Sequence, residues 1–473
     1  MLFCSQPFLL FFAVVFTTYW AMPWRRPRVW LLLGASFYFY ASWNKWLALL
    51  ICASTFVDYW LARGMDRFSS PGVRKLLLSV NIVGNLSLLC YFKYANFFLE
   101  SLGKALNAAG LTASMPVLQV ILPVGISFYT FEAINYMVDV YRRKVRAERS
   151  LGNFMLFITF FPHLVAGPIV RARDFLPQIH RPKRWDWARL QLGVEYFLMG
   201  LIKKLVIADR MALFVDPIFA DPASYQTRSI WLAVVAYALQ IYGDFSGYTD
   251  MAIGLAHMFG YKLAKNFNMP YAAASMAEFW HRWHISLSTW LRDYLFIPLG
   301  GSRGSRWQTY RNLLITMTLG GLWHGASWNF VLWGLAHGLL LIGHRIVRDL
   351  LQGRPVLDLL NSFVGKAACI GLTFLCVCFT WVLFRATSMT TIGIILHRMV
   401  VPSKGLGDPY HAAFVLYVYL ALVICYWLGR QRWFQRNLAR LPAPAVGFGY
   451  ACLLMLALLL APQDGKAFIY FQF

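Results

Sequence analysis

The chain has 473 residues, 59% of them hydrophobic and only 14% charged, with a mean hydropathy of +0.53. Soluble domains carry about a quarter charged residues, so these totals exclude an ordinary soluble protein and predict an all-α polytopic membrane protein. The net charge is +24. Because Lys and Arg gather in short loops beside apolar runs, they mark the cytoplasmic side and contacts with anionic membrane lipids, and a nucleic-acid partner is not expected.

The first apolar run, Pro7 to Met22, has its basic residues Arg25, Arg26 and Arg28 behind it rather than in front. That order predicts an uncleaved first helix with its N-terminus outside. Runs from Val29 to Trp43, Trp46 to Ala62 and Leu76 to Tyr91 follow, with Arg63 to Lys75 cytoplasmic and the charge-poor Glu100 to Ser114 outside. The next span, Val117 to Tyr141, carries Glu132, Asn135 and Asp139 along one helical face. Such a stripe either lines a substrate path or pairs with a cation such as Lys203 or Arg210.

From Phe157 to Val170 the chain is apolar but broken by Pro162, Gly167 and Pro168, and basic loops flank it on both sides. A segment that enters and leaves on one side reads as re-entrant, with His163 at the break as a candidate site residue. Leu192 to Ile207 spans again, Lys203 and Lys204 being expected to snorkel to an interface, and Ile230 to Tyr242 spans after a short connection. Beyond it, Gly243, Ser246 and Gly247 lack the G-x-S-x-G spacing of a nucleophile elbow, which leaves Asp244 and Asp250 to face a cavity or cap a helix.

Asn266 to Arg311 is amphipathic, aromatic and basic, the composition of a segment lying along the membrane surface. His281 and His284 are spaced to share a helical face as metal ligands would, yet no third ligand and no H-E-x-x-H pattern accompanies them, so no metal is expected. After Arg311 the chain is apolar to about Ile342, which exceeds one crossing at about 1.5 Å per residue and predicts a break near Gly325 to Asn329. His324 lies beside that break, among Gly320, Gly321, Trp323 and Trp328. An ionisable residue at membrane depth either faces a cavity as a functional group or hydrogen-bonds a neighbouring helix as structural glue, and the glycines allow a helix or a substrate to come close. Spans from Ala367 to Leu383, Ala412 to Leu428 and Ala445 to Leu460 complete about 11–12 transmembrane helices in one domain, residues 1–473, with Arg430 to Arg440 cytoplasmic. The eight cysteines are scattered without a C-x-x-C pair and read as core fillers.

Two runs, FWHRWHISLSTWLRDYLFIPLGG (Phe279 to Gly301) and GGLWHGASWNFVLWG (Gly320 to Gly334), resemble the membrane-bound O-acyltransferase family, in particular its alginate O-acetyltransferase-like branch. The resemblance extends to ILPVGISFYTFEAINYMVDVYR, FFPHLVAGPIVR, YALQIYGDFSGYTDMAIG and the closing FIYFQF. It implies helices around a central tunnel with a catalytic core over about residues 116–345. It also implies transfer of an acyl group, usually acetyl, from a cytoplasmic donor to hydroxyls across the bacterial inner membrane. The acceptor would be an exported polysaccharide such as alginate or cellulose, or a periplasmic acetyl-transferring partner protein. The family's catalytic histidine falls on His324 and the second polar position of its signature on His284. No zinc, covalent nucleophile or tightly bound cofactor is implied, with acetyl-CoA as the expected donor substrate.

A hydroxyl becomes a competent nucleophile as its proton is removed, and a neutral imidazole suits that general-base role. Arg282, Trp283, Arg292, Trp323, Trp328, Asn329, His163 and Asp244 are the candidates for holding donor or acceptor, with Arg303 and Arg306 as further cations for the donor phosphates. A related branch moves D-alanine from a carrier protein to teichoic acid. A transporter is the non-enzymatic alternative, although the flanks of the breaks near Pro162 and Gly325 do not match as inverted repeats would.

Overall fold

The computed structural model describes residues 1–112, 114–409, 413–431, 433, 440–461 and 468–469. The chain begins with α1 (Gln6–Ala21), α2 (Arg25–Ala41), α3 (Lys45–Arg67) and α4 (Pro71–Leu89), and α4 runs through a π-helical turn, Cys90–Tyr94, into α5 (Ala95–Ala108). Next come α6 (Ile126–Tyr141), α7 (Leu151–Thr159), the single turn α8 (Phe161–Leu164), α9 (Ala172–His180) and α10 (Trp187–Ile202). A second π-helical turn, Lys203–Ala208, leads into α11 (Asp209–Ala220), and α12 (Thr227–Met258) follows. The amphipathic region forms α13 (Met276–Arg282) and α14 (Ile285–Leu291) with a π-helical turn, Arg292–Phe296. The chain continues as α15 (Arg306–His324), α16 (Trp328–Leu351), α17 (Val356–Asn361), α18 (Phe363–Arg385), α19 (Met389–Val400), α20 (Ala413–Arg430) and α21 (Ala443–Leu460). Among the described residues there is no strand, only one isolated bridge between Tyr225 and Leu406.

Several of these helices start where a short polar side chain can satisfy the orphan N–H groups of the first turn. Asn44 Oδ1 accepts from the backbone of Trp46 and Leu47 at 2.9 and 3.3 Å, and Ser305 with Gln308 closes a capping box at the start of α15.

Among the described residues, five helices are long and apolar enough to cross a membrane: Lys45–Arg67, Pro71–Ala108, Trp328–Leu351, Phe363–Arg385 and Ala443–Leu460. They turn large apolar residues outward, Trp46 and Phe363 being 79% and 90% exposed, which is the surface lipid tails cover. Shorter apolar helices occur at Gln6–Ala21, Met389–Val400 and Val415–Cys425. Inside this jacket lie α6, the broken segment and α12, whose polar residues are buried against protein. The protein is thus an all-α membrane protein.

The expected re-entrant segment is buried throughout from Phe154 to Val170. Its free backbone groups find side-chain partners: Val170 N–H donates to Glu132 Oε1 at 2.8 Å, Asn135 Nδ2 donates to Val170 O at 3.2 Å, and Ile169 N–H donates to Ser286 Oγ at 3.0 Å. The stripe on α6 therefore braces this break instead of pairing with Lys203 or Arg210, and its third member, Asp139, accepts from Tyr294 at 2.9 Å.

Lys203 and Lys204 do not snorkel. The π-helical turn that carries them packs on α12, which brings Asp250 to 2.5 Å from Lys203 and Asp244 to 2.8 Å from Lys204, and Asp209, just after the turn, is also 2.8 Å from Lys204. Asp244 also accepts from Ile469 N–H at 2.6 Å, tying the chain's end to the core. The rest of the FIYFQF ending and most of the Arg430 to Arg440 run lie outside the described residues. The connection expected after Asp209 is helical instead, as α11.

Helices α10 and α12 meet across glycines. A Cβ on Gly200 would sit 2.4 Å from Gly247 O, and one on Gly254 would sit 2.5 Å from Gly193 O. Without a hydrophobic drive between helices in lipid, such close backbone contact is what holds them. A Cβ on Gly247 would meet Gly200 O at 2.7 Å, so Gly247→Val forces the pair apart and is expected to cost about 1–3 kcal/mol. The thermal midpoint of the detergent-solubilised protein should fall, whereas Gly34→Ala, with open space around its added methyl, should leave it unchanged or higher.

Candidate active site

Helix α15 ends on His324 because Gly325 turns extended, at φ −160° and ψ 152°, and α16 starts three residues later. The two helices return against each other closely, since a Cβ on Gly321 would lie 2.2 Å from Phe330 O and one on Gly334 would lie 2.3 Å from Met317 O. The glycines of the LGGLWHG run thus admit a helix. They leave His324 at the tip of the hairpin, 3% exposed, with ring centroids of Trp323, Trp333 and Phe384 at 5.0, 5.0 and 5.3 Å.

His284 faces it, with the ring centroids 6.3 Å apart. This residue sits between α13 and α14 in the left-handed region, φ 42° and ψ 54°, a conformation that costs energy for a side chain of this size and occurs often at functional sites. The turn is held by Asn266: Ile285 N–H donates to its carbonyl at 2.9 Å, and its Oδ1 accepts from Ser286 N–H at 3.0 Å and Ser286 Oγ at 2.9 Å. The same oxygen lies 3.2 Å from His284 Nδ1. An amide oxygen can only accept, so Nδ1 carries the proton and the buried Nε2 presents a lone pair. Ser286 Oγ also receives Ile169 N–H, which couples the histidine turn to the re-entrant segment.

Cavities approach this pair from two directions. One, of 170 Å³, is lined by Lys93, the loop Leu122 to Gly125, Ser127, Val165, Trp323 and His324 itself. The other, of 230 Å³, has Ile285 and Ser286 in its wall and a rim of Arg171, Arg173, Lys262, Lys265 and Arg292 with one acid, Asp174. Burial alone would raise the Asp293 carboxyl. Its hydrogen bonds and charge contacts with Arg292 and Arg171, at 2.7 Å each, outweigh that and hold it below the usual carboxylate range. Asp293 is therefore an anion at neutral pH and offsets part of the charge of those two arginines.

The remaining candidates from the sequence are distributed elsewhere. Trp323 is at the site and reaches Ser127 O at 3.4 Å. Arg292 is on the basic rim, but Arg282 is held by Glu278 at 2.6 Å and by Asn268 O, while Arg303, in the loop before α15, and Arg306, its first residue, are exposed outside either cavity. Trp283 is buried among Phe279, Phe267 and Trp381. Trp328 is exposed and bonds Ser101 Oγ, and Asn329 ties the start of α16 to Ala386 O at 2.7 Å. His163 lies 3.3 Å from Glu132 and braces the break. His281 points away from His284, 2.7 Å from Ala277 O, and among the described residues no group of three metal-ligating side chains converges.

Asp244 borders a third cavity, of 510 Å³, with Lys204, Asp209, Asp216, Gln240 and Arg385. Its chain neighbour Phe245 packs on His284 at 4.7 Å, as Phe384, beside Arg385, packs on His324. Those two rings, with Lys93, Asn266, Ser286 and Trp333, are the site residues the sequence did not single out. Lys93 alone left a local signal, as the one charged residue between Leu76 and Leu99 in a run that is helical from Pro71 to Ala108.

The profile of the MBOAT, membrane-bound O-acyltransferase family, matches residues 43–379, which contain both histidines and both cavities that approach them. The chain is 44% identical over 396 residues to the probable alginate O-acetylase AlgI of Azotobacter vinelandii, covering 82% of this chain and 76% of that protein. It is 37% identical over 402 residues to the peptidoglycan O-acetyltransferase of Helicobacter pylori, covering 79% and 74%. To the teichoic acid D-alanyltransferase of Bacillus subtilis it is 29% identical over 236 residues, covering 46% and 58%. The chain belongs to the membrane-bound O-acyltransferase family and is an O-acyltransferase.

Proposed function

We propose that this enzyme takes acetyl from acetyl-CoA at the cytoplasmic face of the bacterial inner membrane and passes it to hydroxyls of an exported polysaccharide, directly or through an acetyl-transferring partner protein. The observation that carries this reading is the facing pair of buried histidines, with one cavity beside the His284 turn and a second, of opposite character, reaching His324. One cavity has a rim with five cations and one acid, and the other has Lys93 as its sole charged lining residue. Cations on the first suit the phosphates of coenzyme A, which guanidinium and ammonium groups bind through charge-assisted hydrogen bonds. The basic loops they belong to are those that the positive-inside rule assigns to the cytoplasm.

In the proposed reaction the acceptor hydroxyl gives its proton to an unprotonated imidazole nitrogen of His324 as its oxygen attacks the thioester carbonyl. The tetrahedral intermediate then collapses, the C–S bond breaks, and the leaving thiolate takes the proton back from the imidazolium. His284, with Nδ1–H directed to Asn266, offers Nε2 as an acceptor, so in this tautomer it orients a hydroxyl and does not donate to the developing oxyanion. The aromatic walls from Trp323, Trp333 and Phe384 exclude water that would otherwise hydrolyse the thioester. Similarity over 82% of the chain to an alginate O-acetylase, against 46% to a D-alanyltransferase, favours acetyl over D-alanyl transfer.

His324→Ala should insert and run as a monodisperse peak like the wild type, yet release of CoA from acetyl-CoA by the purified protein should fall by about 10²- to 10⁴-fold, the usual contribution of a general base. Turnover that survives the change would sink the base assignment. For the donor site, Lys262→Gln and Lys265→Gln should each raise the KM for acetyl-CoA about three- to tenfold with kcat little changed, and the effect should shrink at high salt. A KM equal to that of the wild type in both variants would remove the basic cleft from the donor path.

A further inference from the structure

The last carbonyls of an α-helix have no partner inside the helix, and those at the end of α15 are buried at membrane depth. Three consecutive ones are met by the π-helical turn between α4 and α5. Tyr94 donates its hydroxyl to Leu322 O at 2.9 Å, and Lys93 Nζ donates to Trp323 O at 2.7 Å and His324 O at 3.0 Å. Ser127 Oγ, at 3.4 Å, takes the third direction of the ammonium. All three hydrogen-bond contacts of Lys93 are with neutral oxygens, two of them at the negative end of the α15 dipole, and its Nζ lies 6.0 and 5.9 Å from the Tyr94 and Trp323 ring centroids.

We propose that Lys93 is a positioning residue for the acyl transfer: with Tyr94 it locks the exit turn of α15, and so the aim of the His324 imidazole. The π-helical turn is what makes this contact. Inserting one residue into a regular helix rotates the downstream side chains by about 100°, and here the insertion turns two successive ones, one cationic and one hydroxylic, onto a neighbouring helix end. A lysine in a lipid-spanning helix is costly unless a partner holds it, and the partner here is the backbone of the base itself. Lys93 also lines the 170 Å³ cavity with His324 and Trp323, so the lock stands directly at the wall of the site.

This inference rests on His324 acting as the base, and the experiment separates the two. In membranes carrying the full chain, CoA release from acetyl-CoA is measured for Lys93→Met, Lys93→Arg, Tyr94→Phe and His324→Ala. Lys93→Met should lower kcat about 10- to 100-fold with the KM for acetyl-CoA within about twofold, the signature of a misaimed group and not of lost binding. Lys93→Arg, which can still donate to both carbonyls, should recover most of kcat. A Lys93→Met enzyme with kcat within about twofold of the wild type overturns the proposal, as does a loss expressed in KM or an equal loss in the Met and Arg variants. If Lys93→Met does not accumulate, Tyr94→Phe decides: reduced kcat at constant KM supports the lock, and unchanged kcat overturns it. Activity retained by His324→Ala would instead bring down the base assignment, whatever Lys93 does.

Discussion

Hydrocarbon offers no hydrogen bonds, so backbone that leaves the helix at membrane depth has to find its partners inside the protein. Around the histidine pair the chain leaves the helix after α8, at the left-handed turn on His284, and at the exit of α15 on His324. Each is met by particular side chains. Glu132 and Asn135 serve the first, Asn266 and Ser286 the second, and Lys93 and Tyr94 the third. Ser286 links the first two, because it accepts from Ile169 while donating to Asn266. The polar residues that make α6 and the His284 turn unusual for a lipid-facing protein are thus what allow a non-helical cavity wall to exist there at all.

The same arrangement separates the charges. Cations concentrate at the rim around Arg171, Lys262 and Arg292, where Asp293 offsets part of them, whereas the Leu122 to Gly125 loop on the other approach carries none. Between them the lining turns aromatic: Phe131 stacks on Trp290 at 3.7 Å, Phe128 packs against Trp323, and Trp333 packs against both His324 and His337. A low-dielectric sleeve of this kind strengthens any polar contact made within it and discourages bulk water. In the proposed reaction the donor and the acceptor then meet at one point without a shared aqueous channel.

The parts legible in the sequence were those written in local pattern. Helix class, the broken segment around Pro162 and the interruption beside His324 all follow from apolar run length and helix breakers, which act over a few residues. Tertiary partners were not legible. Nothing near Asn266 announces that its side chain meets a histidine eighteen positions later. Lys203 and Lys204 looked like snorkelling residues because two of the three aspartates that hold them, Asp244 and Asp250, come from α12, about 40 positions on or more. Arg282, Trp283 and Trp328 drew notice for standing near the histidines in the chain, yet the left-handed turn at His284 and the helix break after His324 aim them elsewhere, and their partners are Glu278, a buried aromatic cluster and Ser101.

Adjacent residues on opposite faces also explain why the 510 Å³ cavity is separate from the histidine pair. Asp244 and Arg385 face it, while Phe245 and Phe384, one position away on the same helices, face the histidines. A charge network of Lys204 with Asp209 and Asp244 on the far side of a phenylalanine wall stiffens that wall without entering the reaction space. Because the wall fixes the position of His284 from one side and Asn266 fixes its tautomer from the other, the imidazole has little freedom left. A group held in this way can meet a hydroxyl with its lone pair already aimed, and the organisation is supplied by folding before either substrate arrives.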